Sequence, residues 1–346
     1  MKRTIINIAI AGGLLLAVAA GAALYEYKAM TSNAWARQDA RVYVRPGDRT
    51  EQVAEQLEAT GGDTGCLSFR LACMLFRLER SLQGGHAGSY LIRKDMTAAD
   101  VVRKIARRLQ DPVKVTFIGI RSLEDLAGRL GTEVEADSAE ILQAMYAPDF
   151  LDECGCDSAN VCSIFLPDTY EVYWDITPPK LMRRFLTEYQ KFWNDERTSL
   201  AEGLSLSAQQ VSTLCSIAEE ETTDRQERGT VARLYWNRYR IGMPLQADPT
   251  VKYAVGDFAL RRILNAHLKV NSPYNTYIHP GLPPGPIRIV EKATIDAFLH
   301  SQSHKYLYMC AKEDFSGLHN FATTLIEHNR NAAAYHRALD QMKIKN

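Results

Sequence analysis

Net charge is missing from this 346-residue chain: 41 basic side chains offset 41 acidic ones, so nothing in the total asks for nucleic acid as a partner. Metal-site spacing is missing as well. No Cys-x-x-Cys or His-Glu-x-x-His occurs, Cys154, Cys156 and Cys162 cluster without a fourth ligand, and His279, His304, His319 and His328 are scattered, so neither a metal nor another cofactor is expected. An even complement of cysteines is also lacking. Seven leave at least one thiol unpaired, while the 154–156–162 cluster could hold a disulfide of open connectivity.

What is present starts at the N-terminus, where Lys2 and Arg3 precede an uncharged, apolar stretch from Thr4 to Tyr25. That stretch matches the ~20 residues a helix needs to cross a bilayer. The cations in front and Glu26 behind place the N-terminus in the cytoplasm and export the rest. A cleaved signal peptide is the rival reading, because Ala17-Val18-Ala19 and Ala20-Gly21-Ala22 resemble processing sites. The run is longer than a usual signal core and favours an uncleaved anchor over residues 1–28.

Between Val42 and about Leu130 one pattern recurs three times: a short β-rich run, a polar turn, then an amphipathic helix opened by a capping residue. The copies start at Val42, Ser89 and Lys114, with Asp48/Glu51, Thr97/Asp100 and Ser122/Asp125 as the capping pairs. A helix inserted after the first copy, Cys66 to Arg80, has Leu67, Leu71, Met74, Leu75 and Leu78 at helical spacing, which predicts a core stripe. The run Arg103, Lys104, Arg107 and Arg108 reads as a solvated helix face. From about Glu135 onward, aromatic segments, longer helices and Pro/Gly loops replace the small repeats. The chain therefore divides into a small domain over 40–134 and a larger α+β domain over 135–346.

Chemistry concentrates in the helix that follows Ser207, whose capping box with Gln210 opens it. At ~100° per residue, Val211, Leu214, Cys215 and Ala218 form one apolar stripe, and the triplet Glu219-Glu220-Glu221 fans out around it. Glu220 is expected to point into solvent. Glu219 and Glu221 flank the stripe, where partial desolvation keeps a carboxyl protonated near neutrality. Glu221 either supports Glu219 or pairs with Arg225. A second helix, Gln226 to Ile241, packs through Val231, Leu234 and Tyr235 and stops at Gly242.

The segments that follow are LQADPTVKYAVG, SPYNTYIHPGLPPGPI and HKYLYMCAK, leading to LHNFATTLIEHNR. With FLPDTY from Phe165 to Tyr170 and the helix around Ser216, they resemble, in order and spacing, the MltG (YceG-like) endolytic murein transglycosylases. The resemblance implies an α+β fold with an N-terminal transmembrane helix, a LysM-like small domain and a larger catalytic domain. It also implies a single-pass protein of the bacterial inner membrane, with its catalytic domain on the periplasmic side, acting near penicillin-binding synthases. The implied reaction is cleavage of the MurNAc-GlcNAc bond of nascent peptidoglycan strands, leaving 1,6-anhydro-MurNAc ends. A wall-binding scaffold without activity is the alternative.

Aligned on Ser216, Ile217 and Thr222, the catalytic acid/base implied by the resemblance is Glu219. Substrate contacts fall to Glu221, Gln246, Asp248, Thr250, Tyr274, Asn275, Thr276, Tyr277 and Asn320, with the tyrosines against sugar rings and the Pro283-Pro284 loop as a stiff wall. Two departures stand out. Ala247 interrupts the Gln-Thr-Asp-Pro-Thr of the family, and Ile118-Gly119-Ile120 replaces an acidic Pro-Glu-Gly turn, which leaves glycan binding by the small domain without support.

Overall fold

The computed structural model describes residues 2–85, 87–260 and 262–342; the side chains of residues 2–6, 8 and 9, the Lys2-Arg3 pair among them, lie outside the described set. Helices and short strands mix along the chain, and the strands form two-stranded sheets. Two compact units result. Unit 1 takes Met1–Val115, Glu133–Ala136 and Glu171–Ile176, and unit 2 takes Thr116–Thr132, Asp137–Tyr170 and Thr177–Asn346.

Unit 1 begins with α1 (Lys2–Ser32), within which Ile10–Ser32 is long and apolar enough to cross a bilayer. Next come β1 (Ala40–Val44), α2 (Thr50–Leu57), α3 (Leu67–Leu75), α4 (Leu78–Gln83), β2 (Gly88–Ile92) and α5 (Ala98–Ala106). β1 and β2 pair antiparallel, Val42 opposite Tyr90, and alternate residues of both reach the core. Thr97 caps α5 by accepting from the Asp100 amide, as its spacing predicts. The first helix starts one residue later than expected. Asp48 is used up bracing the turn at the Arg45 amide, and Arg49 becomes the cap, with Gln52 bonding back to its amide.

The expected core stripe holds only in part: Leu78 is buried and Leu71 packs against the core. Leu67, Met74 and Leu75 are 53%, 70% and 60% exposed, while Phe69 and Ala72 are buried. Trp35 decides which face turns inward: its ring stacks on Phe69 with centroids 5.0 Å apart. Arg77 then adopts φ 53 and ends the run, so Leu78 enters the core from a separate helix.

Unit 2 takes up the chain within β3 (Val113–Phe117) and contains α6 (Leu123–Gly131), α7 (Ser138–Met145) and α8 (Pro148–Cys154). Ser122 caps α6 at the Asp125 amide as predicted. β4 (Asp168–Val172) brings Tyr170 against Phe117, and Phe185 of α9 (Pro178–Phe192) meets both rings edge-on. The remaining elements are α10 (Asp195–Gly203), α11 (Ala208–Glu221), α12 (Arg228–Arg240), α13 (Asp248–Val255), α14 (Lys292–Leu299), β5 (Tyr308–Ala311), β6 (His319–Ala322) and α15 (Leu325–Gln341). α11 is the axis of the unit: every residue from Val211 to Glu219 is buried. All seven cysteines are free thiols, those of the 154–156–162 cluster included.

Close packing of α12 on α14 depends on Gly229. A Cβ there would lie 2.4 Å from the Ala297 carbonyl oxygen, whereas a Cβ at Gly128 of α6 would meet nothing within 4 Å. Gly229→Ala is therefore expected to destabilise unit 2 by about 1–3 kcal/mol. Gly128→Ala should stabilise by roughly 0.5–1 kcal/mol through helix propensity alone. Urea unfolding of the two variants checks the opposite signs.

Candidate active site

The Ser207–Gln210 capping box opens α11, both reciprocal bonds being present. Thr222, with φ −132 and ψ 136, closes it. The turn beyond is built from side chains bonding local backbone: Thr222 Oγ1 accepts from the Asp224 amide, and Asp224 accepts from the amides of Gln226 and Glu227. That turn fixes how the glutamate triplet faces the start of α12.

Glu219 is not at the rim of a groove. Its side chain has 0% exposure and sits between two guanidinium groups, with Arg228 Nη1 3.5 Å from one carboxyl oxygen and Arg288 Nε 3.1 Å from the other. The Glu291 amide donates to the same carboxyl at 2.9 Å. Burial pushes its pKa up, opposed by Thr294, Arg288, the Glu291 amide and Arg228. The Glu219 side chain is therefore enclosed by its partners and has no exposed surface.

Glu220 does not point into solvent either. Arg121 grips both its oxygens at 2.9 and 2.8 Å, and Arg288 adds a contact at 3.0 Å. Arg225 pairs with Glu291 at 3.1 Å, and so leaves Glu221 to a different partner.

Among the described residues no arginine clamps Glu221, the remaining and half-buried member of the triplet. The buried Tyr235 hydroxyl donates to it at 2.7 Å. Burial raises its pKa, the Tyr235 bond works against that, nearby Asp248 adds to the rise, and His319 and Arg238 oppose it. Asp248 accepts from the Tyr277 hydroxyl at 2.7 Å at the start of α13. Gln246, exposed and at φ 49, lies just before it. Glu221, Tyr235, Asp248 and Tyr277 thus form one electrostatically coupled group, reached from water at Asp248.

Other expected contact residues serve the fold. Thr250 and Thr276 are fully buried and bond one another at 2.8 Å, and Thr276 also receives the Ala247 amide at 3.0 Å. They clip the two motif loops together. Asn275 is fully buried as well and donates to the Leu268 and Val270 carbonyls. Tyr274 packs on Tyr253 at 4.6 Å and donates to the Ala159 carbonyl, not to the Glu221 group. Asn320 bonds Glu313 at 2.7 Å, on the face of β6 opposite its neighbour His319. The Pro283-Pro284 loop walls a cleft of about 560 Å³ with Ser207, Gln210, Thr213 and Tyr239, near the first turns of α11 and not at Glu221.

Residues that sequence reasoning did not assign to the site include Tyr235, read only as packing, and the clamp arginines Arg228 and Arg288. Arg288 lies 69 positions from Glu219, and no local motif could announce it. Glu227 accepts from both the His319 amide and its Nδ1, at 2.9 Å each, which ties the start of α12 to β6. His300 and His304, four residues apart, diverge to Glu196 and to the Thr230 carbonyl.

Neutralising Glu219 would leave two buried guanidinium groups short of a counter-charge. Glu219→Gln should cost about 3–5 kcal/mol of stability. Glu221→Gln, which keeps a group able to accept from Tyr235, should stay within about 1 kcal/mol of the parent. Chemical denaturation of both variants separates the fold-holding acid from the accessible one.

Comparison with known proteins is consistent with this architecture. The chain is 41% identical over 130 residues to the endolytic murein transglycosylase of Bacillus subtilis (strain 168), which covers 38% of this chain and 35% of that protein. It is 22% identical over 328 residues to the endolytic murein transglycosylase of Streptococcus pneumoniae serotype 2 (strain D39), covering 86% of this chain and 59% of that one. The chain thus spans roughly a third to three-fifths of the length of these curated relatives. A crystal structure of a YceG-like protein from Listeria monocytogenes shares the fold, with TM-score 0.54 and 24% identity over 85% of this chain and 98% of that one. The model of the YceG-like family matches residues 42–334, most of the chain and all of the elements around Glu221, and the chain belongs to that family.

Proposed function

We propose that this chain is an endolytic peptidoglycan lytic transglycosylase in which Glu221, rather than Glu219, is the general acid/base. The observation that carries the reading is the placement of Glu221: half-buried at the end of α11, bonded to Tyr235, and within electrostatic reach of the bonded pair Asp248 and Tyr277. The names of the curated relatives support the substrate class.

Cleaving a glycosidic bond requires a proton for the departing sugar oxygen while positive charge builds on the sugar left behind. Burial raises the pKa of Glu221 and so favours the protonated form that the first step needs. Glu221 donates its proton to the leaving oxygen. The carboxylate then takes a proton from the C6 hydroxyl of the muramic acid, which attacks the anomeric carbon and closes a 1,6-anhydro ring without water. One side chain serves both steps, and no second carboxyl is consumed. Asp248 and Tyr277, the exposed and half-buried members of the group, together with the exposed Gln246 just before Asp248, hold sugar hydroxyls and a ring face. Glu219 acts through α11, fixing the end of the helix from which Glu221 projects.

The same proposal gives α1 the role of a single-pass anchor, with the rest of the chain exported. Its apolar side chains from Leu14 to Leu24 are exposed along the helix, as a lipid-facing segment requires. The small domain over 40–134 and the catalytic domain over 135–346 then stand on the outer side, the former LysM-like, with penicillin-binding synthases as the source of new strands.

Purified chain incubated with nascent glycan strands should yield anhydro-muramyl ends by mass spectrometry, and Glu221→Gln should lose at least about a hundredfold in rate. Reducing ends alone would mean hydrolysis, and parental turnover in Glu221→Gln would remove that residue from the chemistry.

The pH dependence carries a sign. The protonated form does the first step, so cleavage falls as pH rises through the raised pKa of Glu221. The Tyr235 hydroxyl favours the charged carboxylate, and deleting it raises that pKa further. Tyr235→Phe should therefore move the alkaline fall-off of activity to higher pH, which a pH–rate profile reads directly; an unmoved or downward-shifted limb would refute the assignment.

A further inference from the structure

The outer face of α3 is a surface that the fold of unit 1 leaves unused. Phe69 and Ala72 face the core, while Leu67, Arg70, Met74 and Leu75 share the opposite side and are exposed. Arg77 and Arg80 continue the basic edge onto α4. Among the described residues none of Arg70, Arg77 and Arg80 is engaged in an ion pair. Leu67, Met74 and the three arginines border a cleft of about 1340 Å³ whose lining also carries Asp48, Glu51 and Glu79. Apolar side chains flanked by unpaired cations on a helix too short to span a bilayer make the pattern of an interfacial element.

Position identifies the occupant. Met30, in the last turn of α1, is buried in the core that holds Phe69, and Trp35, just past the end of α1, stacks on Phe69. The Trp35 indole N–H is tied to the Asp63 carbonyl at 3.0 Å, which fixes the stack. α3 is therefore packed at the end of the one candidate span among the described residues. That contact runs through the Phe69 side of α3, and it keeps this short helix, its outer face included, close to the end of α1.

We infer that the outer face of α3 rests on the anionic phospholipid surface of the membrane that α1 crosses. Leu67, Met74 and Leu75 enter the boundary between headgroups and acyl chains, and Arg70, Arg77 and Arg80 meet the lipid phosphates. This rests on the proposal that α1 spans a bilayer, and it adds a second attachment that holds unit 1 at a fixed tilt to the membrane.

The test uses the full-length chain carrying Met74→Trp, reconstituted into phosphatidylcholine vesicles that contain acyl-brominated lipid, with or without phosphatidylglycerol. Flotation with the vesicles reads the α1 span separately. The added tryptophan, taken as the difference from the parent chain, should emit to the blue and be quenched by bromine, more strongly when phosphatidylglycerol is present. Adding Arg70→Glu and Arg77→Glu should abolish that increment.

A chain that floats while the tryptophan at 74 emits as in water and escapes quenching overturns the inference and leaves the anchor standing. Equal quenching with and without phosphatidylglycerol overturns it too, because the cations would then have no role. A blue shift that grows with the protein-to-lipid ratio without quenching assigns the face to a second copy of the chain and likewise overturns it. A chain that does not float removes the anchor and this inference together.

Discussion

The buried carboxylate of Glu219 is the fastening on which the candidate site depends. It joins three stretches that are distant in sequence: the end of α11, the first residue of α12 through Arg228, and the segment entering α14 through Arg288 and the Glu291 amide. Two cations and two further acids, Glu220 and Glu291, share the charge, so no member is stranded in the interior. Such a network adds little net stability over a well-packed apolar cluster, but it tolerates no substitution of one partner alone. Its effect is geometric. With the last turn of α11 pinned, Glu221 projects from a fixed point toward Tyr235 and Asp248 instead of fraying with the helix end.

Much of the local fold was legible in the sequence. Capping pairs at Thr97, Ser122 and Ser207 worked as predicted because each bond spans only three residues and does not depend on tertiary structure. The site was legible in its elements and misjudged in its details. Helical periodicity showed that the three glutamates separate, but the side on which arginines arrive depends on Arg121 and Arg288, far along the chain. Asn275, Thr250 and Thr276 illustrate the same limit. A polar residue in a motif loop suits a sugar hydroxyl and a backbone carbonyl equally well, and only burial distinguishes them.

The misreading of α3 has a different cause. Leucines at helical spacing define a face but not what covers it. Phe69 competes with that face, and the stack with Trp35 settles the contest by burying two aromatic rings in place of three aliphatic chains. A helix with an apolar outside is costly in water unless another apolar phase is near. On the proposed membrane contact, its location at the end of α1 supplies one, and the exposed leucines then have a physical reason to be there.

The glutamate triplet, finally, shows how one helix end separates roles that a single acid could not combine. A carboxyl that holds three segments together must keep its charge partners in both protonation states, and one that delivers a proton must change its charge without loosening the fold. Consecutive positions on a helix, ~100° apart, meet those opposed demands within a single turn. Glu219 and Glu220 take the arginines, and Glu221, turned away from both clamps, is left with a neutral hydroxyl as its direct partner. In the proposed reaction a change of charge at Glu221 therefore perturbs one tyrosine and a nearby aspartate, while the ion-pair network behind it stays in place.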